Sequence, residues 1–546
     1  MKKFKLTYIL ALFSVLFYTS CETTELEITS DPNFLSPEDA NVDLFLNGVQ
    51  EDFARFVQGF GDTGSELTRI DYMYGRNYAD VYSPQSFNGL WTSAYQGMRE
   101  DLRLMNALAA ESGQTFHIAI GQIIEAYVMV TLVDFFGNVP YSESLSAANL
   151  DLESRLNPNA DNGADIYAAM HTKLNEAITA LSANPGAPDN DFFYGGDASK
   201  WIKAANTLKM KMYITVGDYA NFQSIVAGGN YISSNADDFQ FQWGTNEVQP
   251  DTRHPWYASS YTSTGGGRYM SNWLMDTMLS GPGGQDPRMY YYFYRQVDVV
   301  PGFGAAPNEE VLECGLQNPP THYVTGGHVF CGLPAGYWGR DHGNDQGIPP
   351  DGFLRTLNGV YPAGGLIDGR LSGDAPGGAV NGDGQGGAGI TPILLASWVD
   401  FMQAEKALFA DGDATAARAH LDNGMTKSTA KVTSFSSFQP TAASIAAHKA
   451  GVLAAYDDTT ASMDDKKNIV FEQFWIAMYG NGIDAYNAYR RTGFPTTLQP
   501  NLEPNPGAYI RSLYYPANYV ETNNNATQKD DVTQPVFWDS GSTQLR

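Results

Sequence analysis

Cysteine is nearly absent: three occur in 546 residues, Cys21, Cys314 and Cys331. A zinc site built on thiolates needs further Cys or His ligands at short spacings, and the spacing of Cys314 and Cys331 is unlike one. Basic residues are scarce too, 33 Lys and Arg against 60 Asp and Glu. Binding a polyanion depends on neutralising its phosphates, so nucleic acid is not expected as a partner. A pI near 4.5 likewise disfavours docking onto anionic headgroups. Long apolar runs are missing beyond the first twenty residues. The longest, Ala126 to Val133, lies between Glu125 and Asp134. It is shorter than the roughly 20 residues of a spanning helix, and reads as a core helix.

What is present begins at the N-terminus. Lys2, Lys3 and Lys5 cap an apolar stretch from Tyr8 to Tyr18, and small Thr19 and Ser20 precede Cys21, the layout of a secretion signal. Residues 1–20 are expected to be removed, which takes the formal charge from −27 to −30. A cut immediately before a cysteine resembles the lipobox of bacterial lipoproteins, whose cysteine carries diacylglycerol and a further acyl chain. Lipidation of Cys21 would anchor the chain firmly, each buried methylene contributing about 0.8 kcal/mol. An ordinary signal with an incidental cysteine is the alternative. Cys314 and Cys331 then remain in an exported, oxidising setting and read as a disulfide contributing about 3 kcal/mol, with two free buried thiols as the other reading.

The chain is long enough to expect two lobes, and its 43% hydrophobic and 13% aromatic content supplies a large core. A tether at 21–36 leads into a helical block at 37–234. Apolar residues recur at helical spacing over Leu90–Ala110 and His117–Phe136, for example Ile120, Ile124, Tyr127, Val128 and Phe135. Gly137 and Pro140 stop the second. Further helices are expected at Asp165–Leu181 and Ala198–Val216. From 235 to 389, Gly, Pro, Trp and Tyr crowd the chain and helical periodicity disappears. A second helical block follows at 390–497, with helices at Leu394–Ala410, Ala414–Met425, Thr441–Ala455 and Lys466–Tyr479, and a Pro/Asn-rich tail at 498–546. The class expected is mainly α: a tetratricopeptide-like helical-repeat scaffold carrying a loop-rich, irregular second lobe, without a clean repeat period.

Several motifs invite chemistry and fail on context. Gly382 to Gly387 spells G-x-G-x-x-G, but no strand precedes it and no helix opens on it, so no dinucleotide cofactor is expected. Asp374, Asn381 and Asp383 lack the spacing of a calcium loop, and no metal is expected. Asp341, His342 and Asp345 have no serine elbow or zinc-protease motif beside them. No catalytic residue is assigned. The aromatics carry more. Sugar rings stack their C–H faces on Trp and Tyr, and loops on a rigid scaffold carry binding residues. Candidates are Trp243, Trp256, Tyr257, Tyr261, Tyr269, Trp273 and Trp338, with Arg268 as a planar donor to ligand oxygens. Trp256 and Tyr257 rank first because they follow His254-Pro255 and precede the polar run 259–267. The competing reading is that most are core. Trp91, Trp201, Trp398 and Trp475 lie on expected helices and read as packing.

Four stretches together resemble the SusD/RagB family of Bacteroidetes outer-membrane lipoproteins: EAYVMVTLVDFFGNVPYSESL from Glu125, GRDHGNDQGIPPDGFLRTLNGVYPAGG from Gly339, QFWIAMYGNGIDAYNAYRRTGFP from Gln473, and YIRSLYYPANYVETNNNA from Tyr509. The resemblance covers essentially the whole chain after the signal. It implies tetratricopeptide-like repeats opposite irregular loops, a lipid anchor in the outer membrane facing the cell exterior, and no enzymatic activity. It also implies capture of an oligosaccharide, or a peptide, for import through a SusC-like TonB-dependent transporter. Glu22, Glu25 and Glu27 resemble the surface-export signal of such lipoproteins. A lipid-anchored glycoside hydrolase and a helical-repeat adaptor are the rival readings.

Overall fold

The computed structural model describes residues 41–144, 156–263, 266–302, 312–345, 354–368, 384–437 and 440–546. Cys21, the signal, the tether to Ser36, and the glycine-rich loop with Asp374, Asn381 and Asp383 lie outside the described residues. The first helix, α1 (Val42–Leu67), starts where the Asn41 side chain accepts the Asp43 amide at 2.8 Å. A composite helix from Asn88 follows, with a π-helical stretch at Ser93–Arg99 before α2 (Glu100–Ser112). Then come α3 (Thr115–Phe136), α4 (Gly163–Ser182) and α5 (Ala198–Thr215). Sequence neighbours pack against each other, α2 on α3, α3 on α4 and α4 on α5, as helical repeats do.

The second block repeats the theme with α6 (Ala396–Lys406), α7 (Ala414–Thr433), α8 (Ala442–Asp457), α9 (Met463–Ala477) and α10 (Ile483–Thr492). Ser462 and Asp465 form a reciprocal capping box at the start of α9, satisfying two amides of its first turn. The sequence places α3 closely, and Gly137 ends it at φ +84°. It places the end of α7 too early, at Met425. That helix runs eight residues further because Ser428 and Val432 continue its buried face.

Among the described residues the strands form three two-stranded antiparallel pairs. Strand β1 (Val139–Pro140) pairs with β2 (Ala160–Asp161), β3 (Phe239–Gln242) with β6 (Ile390–Leu394), and β4 (Phe293–Tyr294) with β5 (Leu357–Asn358). The β3–β6 pair joins the start of the loop-rich segment to the second helical block. One apolar core runs from α1 through Trp256, Tyr292 and Tyr361 to Val532. The segment 235–389 therefore packs on the scaffold's core. A satellite core holds Tyr269, Val300, Leu312, Trp338 and the Cys314–Cys331 disulfide, whose Cα atoms are 5.6 Å apart.

The two blocks meet backbone to backbone. A Cβ on Gly64 of α1 would stand 2.3 Å from the Gly482 carbonyl oxygen, so the chain before α10 crosses α1 only because both residues lack side chains. The Arg490-Arg491-Thr492-Gly493 motif is structural. Arg490 lies under the Tyr486 and Trp538 rings, at 3.8 and 4.6 Å, and donates to the Asp134 carbonyl at 2.8 Å. The Asp134 carboxylate, on α3, accepts from Tyr167 at 2.5 Å, Asn487 at 2.6 Å and Trp538 at 2.9 Å. One buried acid thus ties together both helical blocks and the tail.

Candidate functional site

The end of α1 turns the chain sharply. Arg69 adopts φ +64°, which costs a non-glycine residue about 1 kcal/mol or more. Its fully buried guanidinium offsets this by donating to the carbonyls of Leu67 and Gln499, each at 2.8 Å, and to Tyr78 Oη at 3.0 Å. The turn releases a non-helical stretch, DYMYGRNYADVY from Asp71 to Tyr82. An isolated antiparallel bridge between Asp71 and Met270 pins it to the loop-rich segment.

Between them lies a cleft of about 330 Å³ lined by Glu66, Asp71, Tyr72, Tyr74, Tyr82, Arg268 and Tyr269, among others. Tyr74 is 53% exposed at its mouth. Tyr72 meets Tyr269 edge to face at 5.9 Å, and its hydroxyl donates to the Asn344 carbonyl. Arg268 is clamped by Asp71 and lies 3.4 Å from Asp62, with its carbon 5.0 Å over the Trp256 ring. Burial works against the guanidinium charge, and Asp71 and Asp62 outweigh it. Tyr82 donates to Glu66 at 2.5 Å. Burial raises the Glu66 carboxyl to about 8, beyond what the Tyr82 hydrogen bond takes back, so near neutral pH it is mostly protonated. The cleft therefore offers phenol faces, hydroxyls, a neutral carboxyl and a fixed planar cation, the polar-and-aromatic mix that binds polyhydroxylated or amide-rich ligands.

Of the residues singled out in the sequence, Arg268 and Tyr269 line this cleft and the others do not. The expectation that Trp256 and Tyr257 project from a loop is corrected. They sit on a short helix, Pro255–Ser260, with 1% and 2% exposure. Trp256 Nε1 donates to Asp62 at 2.8 Å, and Tyr257 stacks on Tyr261 at 4.5 Å. Trp243 is buried against Thr391, Tyr261 bonds the Asn358 carbonyl, and Trp338 bonds the Leu354 carbonyl. Trp273 is half-buried beside His328. Large rings that the sequence places in a loop region are used here as core, because irregular backbone needs packing as much as helices do. The residues that sequence reasoning missed, Tyr72, Tyr74 and Tyr82, lie inside the segment assigned to the first helical block. Their signal was a tyrosine-rich run carrying Gly75, Arg76 and Asn77 and no helical period.

His342 does not form a catalytic group with its neighbours. It is buried against Tyr78 at 3.0 Å, and burial with nearby Arg69 holds it well below its usual range, hence neutral. Asp341 accepts from Asn272 and from the Cys331 amide, and Asp345 pairs with Arg76. Among the described residues no group of three or more His, Cys, Asp or Glu is arranged to hold a metal ion.

A helical-repeat scaffold presenting a tyrosine-lined cleft where it meets an irregular lobe defines a binding scaffold of the tetratricopeptide-like class. Residues 43–305 match the family described as starch-binding and associating with the outer membrane, and residues 391–545 match that of SusD and RagB outer-membrane lipoproteins. The chain belongs to the SusD/RagB family. No curated protein sequence matches it. Solved structures share its fold. A chitin-binding SusD homologue from Flavobacterium johnsoniae superposes with a TM-score of 0.63 at 17% identity, over 92% of this chain and 99% of that one. A SusD/RagB family protein from Bacteroides thetaiotaomicron reaches 0.64 at 18% identity, over 92% and 100%. A chitin-binding protein reaches 0.61 at 21% identity, with the same coverage.

Proposed function

We propose that the protein captures an oligosaccharide at the Tyr72–Tyr74–Tyr82–Tyr269 cleft, at the cell surface, and passes it to a SusC-like TonB-dependent transporter. The observation that carries this is the cleft itself: exposed Tyr74 beside the Arg268–Asp71 pair, at the junction of scaffold and lobe. Family membership and the chitin-binding relatives support a saccharide over a peptide. The lysine cap, short apolar run and small residues before Cys21 support acylation there, in an outer-membrane lipoprotein without enzymatic activity.

Glu66 gives the hydrolase reading a foothold at this cleft, since a carboxyl still protonated near neutral pH is what a general acid requires. The experiment separates the two. Calorimetry against a glycan panel, with chromatography of the incubated sugars, is expected to find binding without shortening. Tyr74→Ala should weaken binding roughly fivefold, the loss of one aromatic contact, at unchanged melting temperature. Unaltered affinity would remove the cleft from the reading, and shortened sugars would favour hydrolysis. Metabolic labelling with a fatty acid should mark the wild type and not Cys21→Ala; label in neither would remove the anchor.

A further inference from the structure

A second cleft, of about 320 Å³, opens where the composite helix around Trp91 meets β1 and the C-terminal helix Ala517–Thr522. Three rings form one wall. Trp91 is flanked by Tyr95 and Tyr519, each with centroids at 4.8 Å and tilted by 39° and 34°. Phe136 backs Trp91 edge-on at 5.5 Å, and Tyr95 Oη is fixed by the Pro140 carbonyl at 2.7 Å. The rings are therefore held before any ligand arrives. Around them stand amides and hydroxyls: Gln96, Asn518, Asn523, Thr92, Thr522 and Ser144.

Two features narrow the ligand. Among the described residues no Asp, Glu, Lys, Arg or His lines this cleft, in a chain whose formal charge is −27. The Arg99 guanidinium, which donates to Ser144 and lies 5.5 Å from the Tyr95 ring, is already paired with Glu125. An ionic ligand thus finds no free counter-charge there among the described residues, whereas an uncharged one needs none. Asn518 also keeps an unsatisfied acceptor. Its amide nitrogen donates to Thr92 Oγ1 at 3.0 Å, while its Oδ1 is buried with no hydrogen-bond partner among the described residues. Such an orphan costs about 1–3 kcal/mol, which an entering hydroxyl relieves.

We infer that this cleft is a second saccharide site, taking an uncharged pyranose through the Tyr95–Trp91–Tyr519 wall and the surrounding amides. It shares its ligand class with the proposed function and does not depend on the first cleft. The two clefts back onto one aromatic core, with Tyr82 5.7 Å from Phe87, Phe87 5.8 Å from Phe136, and Phe136 against Trp91. They are separate mouths on one rigid body, suited to gripping a chain of sugars at two points.

Hydroxyl-radical footprinting of the full chain in a non-glycosidic detergent tests this, with N,N′-diacetylchitobiose, maltotriose and an uncharged tripeptide as probes. At least one saccharide is expected to protect Tyr95 and Tyr519. The protection should persist in Tyr74→Ala, and Gln96→Ala, at an exposed position, should raise the half-protecting concentration about fivefold. Asn518→Leu should do the same, with its melting temperature measured alongside. Absence of saccharide protection at Tyr95 and Tyr519 overturns the inference. If Tyr74 is protected in that sample, the first-cleft reading stands; if not, both fall. Protection by the tripeptide alone also overturns it.

Discussion

Arg491 grips Glu405 with two parallel hydrogen bonds, Nε at 2.9 Å and Nη2 at 2.7 Å, and so fastens α10 to α6 across 86 residues of sequence. The Glu405 carboxylate is fully covered. Removing the guanidinium leaves a buried charge without its partner, so Arg491→Ala is expected to cost about 3–5 kcal/mol in urea denaturation. A double replacement of both residues by methionine should recover most of the loss, since it removes the stranded charge as well. An unchanged midpoint in the single variant would show that water reaches Glu405.

Trp256 gives the opposite outcome to an exposed stacking platform. Its ring is buried and its indole nitrogen bonds Asp62. Trp256→Ala is therefore expected to lower stability by about 3–5 kcal/mol. Trp256→Phe keeps most of the volume and should isolate the lost Asp62 contact, at about 1 kcal/mol. A Trp256→Ala protein that melts with the wild type yet loses ligand would return Trp256 to the binding surface.

Glu66 predicts a pH dependence with a definite sign. Its carboxyl ordinarily titrates near 4.5 and in the fold near 8. The folded state thus holds a proton that the unfolded chain releases, so this contribution is complete below pH 4.5 and fades as pH rises to 8. Glu66→Gln should match the wild type in acid and exceed it above pH 8, by no more than about 2 kcal/mol once solvent screening at the cleft is allowed for. Thermal melts across that window check it, and parallel curves for the two proteins would refute the shifted proton.

Helices were legible wherever burial is periodic. The extent of α3 and its glycine stop could be read directly, because both are local, but the helix is buried nearly all round instead of on one face. The site was not legible, for a physical reason. Trp256 and Asp62 lie 194 residues apart, and Arg268 and Asp71 lie 197 apart. Whether a ring in an irregular segment faces water depends on such distant partners, which no window of sequence contains. Arg268 and Tyr269 reach the cleft, while Trp243 and Trp338 go to the interior, although all four stand in the same glycine-rich and aromatic stretch.

Asp134 sets a condition on the order of events in folding. The acid sits in the first helical block, but two of the donors that satisfy it, Asn487 and Trp538, follow it by 353 and 404 residues. While the chain emerges from its N-terminus, α3 carries a carboxylate that nothing yet made can fully satisfy, in a position that the finished protein closes to water. The early helices can form and collapse but cannot lock, because locking strands a charge. The first helical block can therefore close around Asp134 only once the chain is present through Trp538.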